Sequence, residues 1–219
     1  PSGIDRPPVL LLVSCSGPQN RDASMLGMTP FRTLADHLVR RGFAVLRYDD
    51  RGVGQSTGNF AAATTVDFAQ DAEAGVAFLR TRRDIDPARI GVLGHSEGGL
   101  IAPMVAARNP DVAFVVLMAG PGLPGEEIVR EQTRRMSEAS GLTGGEIAFN
   151  DGVLTRAFGL LREGKPLSSL QADFLAMSRS GFSVMSEAER AQIGSPERLA
   201  WQQMKSYDTP WFRFFITHD

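Results

Sequence analysis

The segment that most constrains the fold of this chain is residues 90–99, Ile-Gly-Val-Leu-Gly-His-Ser-Glu-Gly-Gly, in which an apolar run stops at a serine held between glycines. The pattern predicts a buried strand, a sharp turn and a helix, in that order. A turn with this spacing lifts the serine hydroxyl clear of the top of a parallel sheet, next to the amides that begin the helix. Ser96 is therefore our candidate nucleophile.

The length and charge of the chain limit the classes of protein it can belong to. With 219 residues it can bury one sizeable core and carry a small additional domain. Its 23 basic and 25 acidic residues give a net charge of −2, so no strong field attracts nucleic acid or an anionic membrane. No apolar run approaches the roughly 20 residues that a membrane span requires. These features favour a small neutral or mixed-charge substrate.

Residues that form disulfides or hold metals are scarce. Cys15 is the single cysteine, so no internal disulfide can form, and no cysteine–histidine cluster indicates a metal. A dinucleotide-binding fold fits poorly, because Ser-Cys-Ser-Gly-Pro follows the first strand in place of a Gly-x-Gly-x-x-Gly turn, and we predict no cofactor. The compartment stays open between the cytoplasm and a periplasmic or secreted location. The chain starts at Pro1 without a methionine or signal segment, and we expect that a segment was removed upstream.

Strands and helices alternate over residues 1–122. The elements predicted there are strands at 9–13, 43–48, 90–93 and 112–118, with helices at 30–41, at 64–80 and from the serine turn to about 108. Thr64 and Asp67 have the spacing of a capping box at the start of the second helix. This alternation predicts a parallel sheet wrapped by helices on both faces, so we assign residues 1–122 to an α/β core.

The character of the chain changes after Gly122. Residues 124–207 contain helical patterns broken by glycines and no strand pattern. We interpret residues 123–210 as a helical lid over the C-terminal edge of the sheet, and residues 211–219 as the start of a return to the core. Apolar lid residues either pack together or line an acyl pocket; they are Phe149, Phe158, Phe174, Met177, Phe182 and Trp201.

Three segments of the core carry a resemblance to a known superfamily. They are a Ser-Gly-Pro-x-x-Arg-Asp loop at 16–22, an Arg-Tyr-Asp-x-Arg-Gly-x-Gly-x-Ser segment at 47–56 and the Gly-His-Ser-Glu-Gly-Gly turn at 94–99. Together they resemble the α/β hydrolases, and most closely bacterial carboxylesterases and serine-aminopeptidase-like hydrolases. The resemblance implies the α/β-hydrolase fold and a reaction on acyl groups.

The resemblance also implies roles for individual residues in that reaction. Ser96 would attack the acyl carbonyl, and the backbone amide of Glu97 would bind the oxyanion that forms. The amide of Ser16, or failing that of Gly17, would be the second donor. Each donor of this kind stabilises the transition state by on the order of 3 kcal/mol.

Other positions match the superfamily pattern as scaffold rather than as reacting groups. Gly94, His95 and Gly98 belong to the serine turn, and Asp49 with Arg51 would tie backbone groups together beside it. Cys15 departs from the pattern, since a glycine is expected there. A Cβ atom at this position would restrict the turn that aims the Ser16 amide.

A serine nucleophile needs a base, normally a histidine oriented by a carboxylate. The chain has three histidines. His37 lies off the apolar face of its predicted helix, His95 is bonded directly to Ser96, and His218 comes before any further strand could place it over the sheet. In this superfamily the acid and the histidine follow the strands after the lid. No triad acid or histidine is therefore identified in this sequence.

The fourth predicted strand, 112–118, is fully apolar and would leave an unprotected sheet edge. We expect an oligomer partner or a missing segment of chain to cover it. Our hypothesis is that these residues are an internal part of a larger hydrolase, with an incomplete sheet.

The function predicted from these features is hydrolysis of small acyl esters through an acyl-enzyme on Ser96. Two alternatives stay open. An aminopeptidase-like enzyme acting on short peptides uses the same machinery. If the chain is complete as given, it would instead be a catalytically silent binding module of the same fold.

Overall fold

The structure, a computed structural model, describes residues 3–217, and the chain divides after Gly122 into two units. The first unit is Pro1–Gly122 and the second is Leu123–Asp219.

A parallel sheet forms the centre of the first unit. Its strands are β1 (Val9–Val13), β2 (Ala44–Leu46), β3 (Ile90–His95) and β4 (Val112–Met118). Within residues 3–217 these four strands make one sheet in the order β2-β1-β3-β4, and every pairing is parallel. The predicted parallel α/β sheet is confirmed, and its four strands form an incomplete sheet for this fold class.

Helices connect these strands. They are α1 (Pro30–Arg40), a short 3-10 helix (Phe60–Ala62), α2 (Thr65–Arg80) and α3 (Gly98–Arg108). At the start of α2 the carboxylate of Asp67 accepts a hydrogen bond from the Thr64 N–H at 2.8 Å, as the capping-box spacing predicted.

Strands β1 and β3 lie in the core of the first unit together with the buried faces of α2 and α3. All five side chains of β1 are buried, which explains why this strand is a continuous apolar run. Gly91 lies on β3 where an added Cβ would come within 2.4 Å of the Phe114 ring, so the missing side chain makes room for that ring. Each fully buried aliphatic side chain contributes about 1.5–3 kcal/mol to the stability of the unit.

Two strands differ in length from the sequence prediction. β2 ends at Leu46 rather than continuing to Tyr48, because the chain turns there and Asp49 and Asp50 bond to the loop after β1. β3 continues to His95, which pairs with Met118 of β4. The strand thus runs directly into the serine turn.

The second unit is helical over its described part, 123–217, where no strand occurs. Its helices are α4 (Gly125–Ala139), α5 (Gly144–Arg162), a 3-10 helix (Leu167–Leu170), α6 (Gln171–Val184), α7 (Glu187–Ile193), α8 (Pro196–Tyr207) and α9 (Pro210–Thr217). Residues 211–217, which we expected to begin a return to the core, lie in α9. His218 lies outside the described residues.

Aromatic side chains fill the core of the second unit. Phe158 and Phe174 are fully buried, and Tyr207 contacts both rings at centroid distances of 6.1 and 5.9 Å. Of the apolar residues considered for an acyl pocket, Phe158, Phe174 and Met177 pack in this core. Trp201 remains 60% exposed.

The last strand of the sheet presents apolar side chains to the surface. The side chains from Phe114 to Met118 are 37–51% exposed.

Among the helices of residues 3–217, none has the length and apolar character that a membrane span requires.

Candidate active site

Ser96 lies at the sharp turn between β3 and α3, with its backbone in the left-handed region at φ +55°. For a residue with a Cβ atom this conformation costs roughly 1–2 kcal/mol. The Ser96 N–H donates to the carbonyl of Met118 at 2.9 Å, which anchors the strained residue to the end of β4. The turn therefore presents one serine at the C-terminal edge of the sheet, in the geometry that a nucleophile elbow requires.

The glycines around Ser96 are required by close backbone contacts. A Cβ atom on Gly94 would lie 1.8 Å from the carbonyl oxygen of Gly98, and one on Gly98 would lie 2.3 Å from the carbonyl oxygen of Val13. No side chain fits at either position. The N–H of Gly98 donates to the carbonyl of Ser14 at 3.0 Å, so the loop after β1 contacts the serine turn directly.

The two candidate oxyanion donors come from segments that meet here. Glu97 is the residue before α3, where the helix dipole favours negative charge. Ser16 and Gly17 lie on the loop after β1, and neither N–H donates to an acceptor within residues 3–217. One small cavity is lined by side chains and backbone from both segments, including Ser14, Gly17 and Glu97.

Cys15, where the superfamily pattern has a glycine, lies in the same small cavity and is half-buried. Burial raises the pKa of the Cys15 thiol. A raised pKa keeps the sulfur in the weakly reactive thiol form, which does not favour a nucleophilic role for this residue.

Asp49 binds the loop after β1 through several hydrogen bonds. Its carboxylate accepts from the Arg21 guanidinium at 2.6 Å and from the Arg21 backbone N–H at 2.8 Å. The Gln55 N–H donates to it at 3.4 Å. The bonds from the Arg21 side chain, and then from its backbone, hold the pKa of Asp49 well below its usual range.

Asp50 lies in the loop that the sequence predicted to be scaffold, without a contact of its own being predicted, and it bonds to residues on either side of the candidate oxyanion donors. Its carboxylate accepts from the Gln19 N–H at 2.9 Å and from the Ser14 hydroxyl at 3.3 Å. Burial raises the pKa of Asp50 to about 6, although these two hydrogen bonds act in the opposite direction. The superfamily pattern leaves this position unspecified, so no sequence signal identified its contacts.

Arg51 connects the loop after β2 to helix α2. Its Nε donates to Asp71 at 2.7 Å, and its second terminal nitrogen donates to the carbonyl of Asp67 at 2.8 Å. Planar guanidinium groups suit such paired contacts.

The side chain of Glu97 is buried at 4% exposure, and its carboxylate accepts a hydrogen bond from Thr65 Oγ1 at 2.8 Å. Thr65 is the first residue of α2 and is fully buried. This buried bond connects the serine turn to the start of α2. Sequence reasoning missed Thr65, since a contact across 32 positions has no local signature.

Within residues 3–217 there is neither a histidine hydrogen-bonded to Ser96 nor a group of side chains that could hold a metal ion. His37 is exposed on α1 beside the Arg41 guanidinium, and His95 ends β3. Neither makes a side-chain hydrogen bond to Ser96 within the described chain. The same residues contain no cluster of three or more histidine, cysteine or carboxylate groups that could hold a metal ion.

The parallel sheet, with a serine turn between its third strand and the following helix, has the architecture of an α/β hydrolase. A family model described as Hydrolase_4, serine aminopeptidase S33, matches residues 28–157, more than half of the chain. The chain belongs to this hydrolase family. The match includes Ser96 and the 47–56 segment and begins after the loop that contains Ser16.

Similar proteins include esterases. Esterase EstD of Thermotoga maritima is 31% identical over 134 residues, which are 61% of this chain and 32% of that protein. The uncharacterized protein Rv2307c of Mycobacterium tuberculosis is 37% identical over 83 residues, 38% of this chain and 28% of its own. This chain thus spans about a third of the length of the curated relatives it matches.

A solved structure has the same fold. The esterase Pf2001 of Pyrococcus furiosus matches with a TM-score of 0.50 at 23% identity, covering 60% of this chain and 46% of that one. At this level of identity the match shows the fold alone.

Proposed function

We propose that this chain contains the nucleophile and the oxyanion donors of a serine carboxylesterase that acts on small acyl esters. One observation carries the proposal. Ser96 has a left-handed backbone at the end of a buried strand, between glycines that tolerate no side chain. Other non-glycine residues with a positive φ, such as Ala23 and Leu26, lie in loops, whereas Ser96 lies where a buried strand meets a helix, which is the position of the serine in a nucleophile elbow.

The proposed reaction has two steps. Ser96 Oγ loses its proton to a base and attacks the acyl carbon of the ester; the bond to the alcohol oxygen breaks, and the alcohol leaves with a proton from that base. Water then attacks the acyl-enzyme, releasing the carboxylic acid and restoring the serine. The base and its orienting acid are not assigned to any described residue, so the proposal concerns the full-length protein.

The charge that develops on the carbonyl oxygen would be bound by two backbone amides. The Glu97 amide lies at the start of α3, and the amide of Ser16 or Gly17 lies on the loop that contacts the serine turn. Preorganised donors of this kind are more effective than flexible ones because they need not reorganise during the reaction.

The carboxylates around this site would act as scaffold. Asp49 and Asp50 bind the backbone and side chains of the loop after β1, and Arg51 joins the next loop to α2. Through these contacts they would fix the path of the loop that contains Ser16. The helical second unit is proposed to act as a lid.

An aminopeptidase-like activity is the second candidate, and the description of the matching family favours it. Both reactions would use Ser96 and the same oxyanion donors, so they differ in the leaving group. A binding module without catalysis is the remaining alternative.

Turnover by the full-length protein separates these functions. We expect hydrolysis of p-nitrophenyl acetate and butyrate, with little release of p-nitroaniline from aminoacyl anilides. Ser96→Ala should lower kcat by a factor on the order of 10⁴ or more. The control Ser169→Ala changes an exposed serine of the helical unit and should retain full activity.

Faster release from the anilides than from the esters would favour the peptidase. No turnover of either substrate would favour the binding module.

A further inference from the structure

The helical unit contains a groove that the proposed reaction does not use. It lies between α8 on one side and the Leu167–Leu170 3-10 helix with α6 on the other, and its volume is about 460 Å³. Pockets for small molecules have volumes of roughly 300–1,000 Å³. The groove is therefore large enough for a small ligand.

One face of α8 forms a wall of this groove. Ala200, Trp201, Met204 and Lys205 recur at the three- and four-residue spacing that places side chains on one side of a helix. Apolar side chains on one side of a helix, such as Ala200, Trp201 and Met204, normally pack against another element. Here Trp201 is 60% exposed, which is unusual for so large an apolar side chain.

The opposite wall is also apolar. Leu175 is half-buried and presents hydrocarbon surface to the groove, whereas Leu167, which also lines it, is almost fully buried at 2% exposure. Aromatic and aliphatic side chains on facing walls favour a ligand with a hydrocarbon body.

The charges along the groove are not balanced. Glu197 lies 3.7 Å from Arg179, and Asp208 forms a 2.6 Å ion pair with Arg213, so both acidic groups have partners. Lys205 forms no ion pair within residues 3–217, and its Nζ lies 4.8 Å from the centre of the Trp201 ring. Lys205 is therefore the charged side chain of the groove that has no ion-pair partner among residues 3–217.

Two polar groups add donors to the same groove. Ser168 and Gln171 line it, and neither side chain is hydrogen-bonded within the described chain. A hydroxyl and an amide beside an ammonium group can together bind the two oxygens of a carboxylate.

We propose that this groove is a binding site for a small carboxylate with an alkyl or aryl body. The body would lie against Trp201, Leu175 and Met204, and the carboxylate would accept hydrogen bonds from Lys205. We choose a carboxylate because Lys205 has no ion-pair partner among residues 3–217 and can pair with it. We choose a hydrocarbon body because the walls of the groove are apolar. This assignment rests on the helical unit and does not depend on Ser96.

Calorimetric titration of the full-length protein with octanoate tests the proposal, with octan-1-ol and octylammonium as matched probes. We expect saturable binding of octanoate, at least tenfold tighter than that of either probe. Lys205→Met should weaken octanoate binding by about tenfold, the effect of losing one charge-assisted hydrogen bond. Lys165→Met is the matched control, because Lys165 is the other lysine of the sequence and pairs with Glu163 outside the groove.

Several results would overturn the proposal. They are an absence of octanoate binding, equal binding of octan-1-ol, or equal affinity in wild type and Lys205→Met. The last result would assign the bound carboxylate to another site. Ester turnover is measured on the same samples, so a protein that binds octanoate through Lys205 without hydrolysing esters contradicts only the proposed esterase function.

Discussion

The backbone of Ser96 is strained at the turn between β3 and α3. Its φ of +55° is unfavourable for every residue with a side chain, and Gly94 and Gly98 on either side show that the chain uses glycine where space demands it. At position 96 there is a serine where a glycine would be less strained. Residues in this conformation cluster at functional sites but also occur in ordinary loops, as Ala23 and Leu26 do here, so the position of Ser96 at the end of β3 is needed for the proposal.

Replacing Ser96 by glycine should release this strain. Relative to Ser96→Ala, the variant Ser96→Gly is expected to be more stable by about 1 kcal/mol, because glycine adopts a positive φ at no steric cost. Urea unfolding of both full-length variants measures the difference. If Ser96→Gly is equally stable or less stable than Ser96→Ala, the backbone at this position is not strained.

Asp50 gives the site a dependence on pH. Its folded-state pKa of about 6 lies above the value of about 4 for an unfolded aspartate, so the folded protein binds more protons between these pH values. The stability that protonated Asp50 contributes is therefore lost as the pH rises from about 4 to about 6.

The variant Asp50→Asn lacks this titration. Its stability relative to wild type is expected to increase between about pH 4 and pH 6 and to level off above, as measured by melting temperatures over that range. Asp49→Asn is the contrasting variant: the pKa of Asp49 is lowered by Arg21, so its contribution is lost only below about pH 4. A stability difference for Asp50→Asn that does not change with pH would contradict the burial of its carboxylate.

Sequence patterns predicted some of these residues and missed others for a physical reason. Ser96 and its glycines were found because the turn needs fixed residue types at fixed spacing. The contacts of Asp50 and Thr65 were not predicted because each is a hydrogen bond to a residue far along the chain, on the loop after β1 or in the serine turn. Such contacts leave no periodicity in the sequence.

Strands and helices were predicted more completely than these contacts. The bounds of β1 and β4 agree with the apolar runs at 9–13 and 112–118, because burial requires continuous apolar residues. β2 was predicted too long, since Tyr48 is apolar enough to continue the pattern while the chain already turns away from the sheet. The direction of a loop depends on its tertiary hydrogen bonds.

Any side chain at position 94 should destabilise the protein, because β3 and α3 approach each other closely there. Gly94→Ala is expected to cost about 3 kcal/mol or more, because the new Cβ would overlap the backbone of Gly98. Gly122→Ala is the control, since a Cβ there meets nothing within 4 Å, and it should change stability by less than about 0.5 kcal/mol. Chemical unfolding of both variants measures this, and equal stabilities would contradict the close approach.

The junction between α2 and the serine turn depends on the Thr65 hydroxyl. Thr65→Val keeps the shape of the side chain but removes a donor to the buried carboxylate of Glu97, and should cost about 1–3 kcal/mol. Thr65→Ser should recover most of this loss. Thr155→Val, which removes an exposed hydroxyl on α5, provides the baseline. If Thr65→Val is no worse than Thr155→Val, the bond does not stabilise the turn.

The molecule as a whole combines an α/β hydrolase sheet with a helical unit. Because the apolar side chains of β4 are exposed, we still predict that a partner or a further segment of chain covers this edge of the sheet. The family match shows a hydrolase family, and the similar proteins include an esterase.

Covalent labelling of the full-length protein tests the nucleophile most directly. A fluorophosphonate reacts with activated serines, and tryptic digestion releases residues 90–108 as one peptide in which Ser96 is the single hydroxyl-bearing residue. We expect mass spectrometry to find the adduct on this peptide in wild type and no adduct on it in Ser96→Ala. Labelling of a different peptide, or none in protein that hydrolyses esters, would contradict Ser96 as the nucleophile.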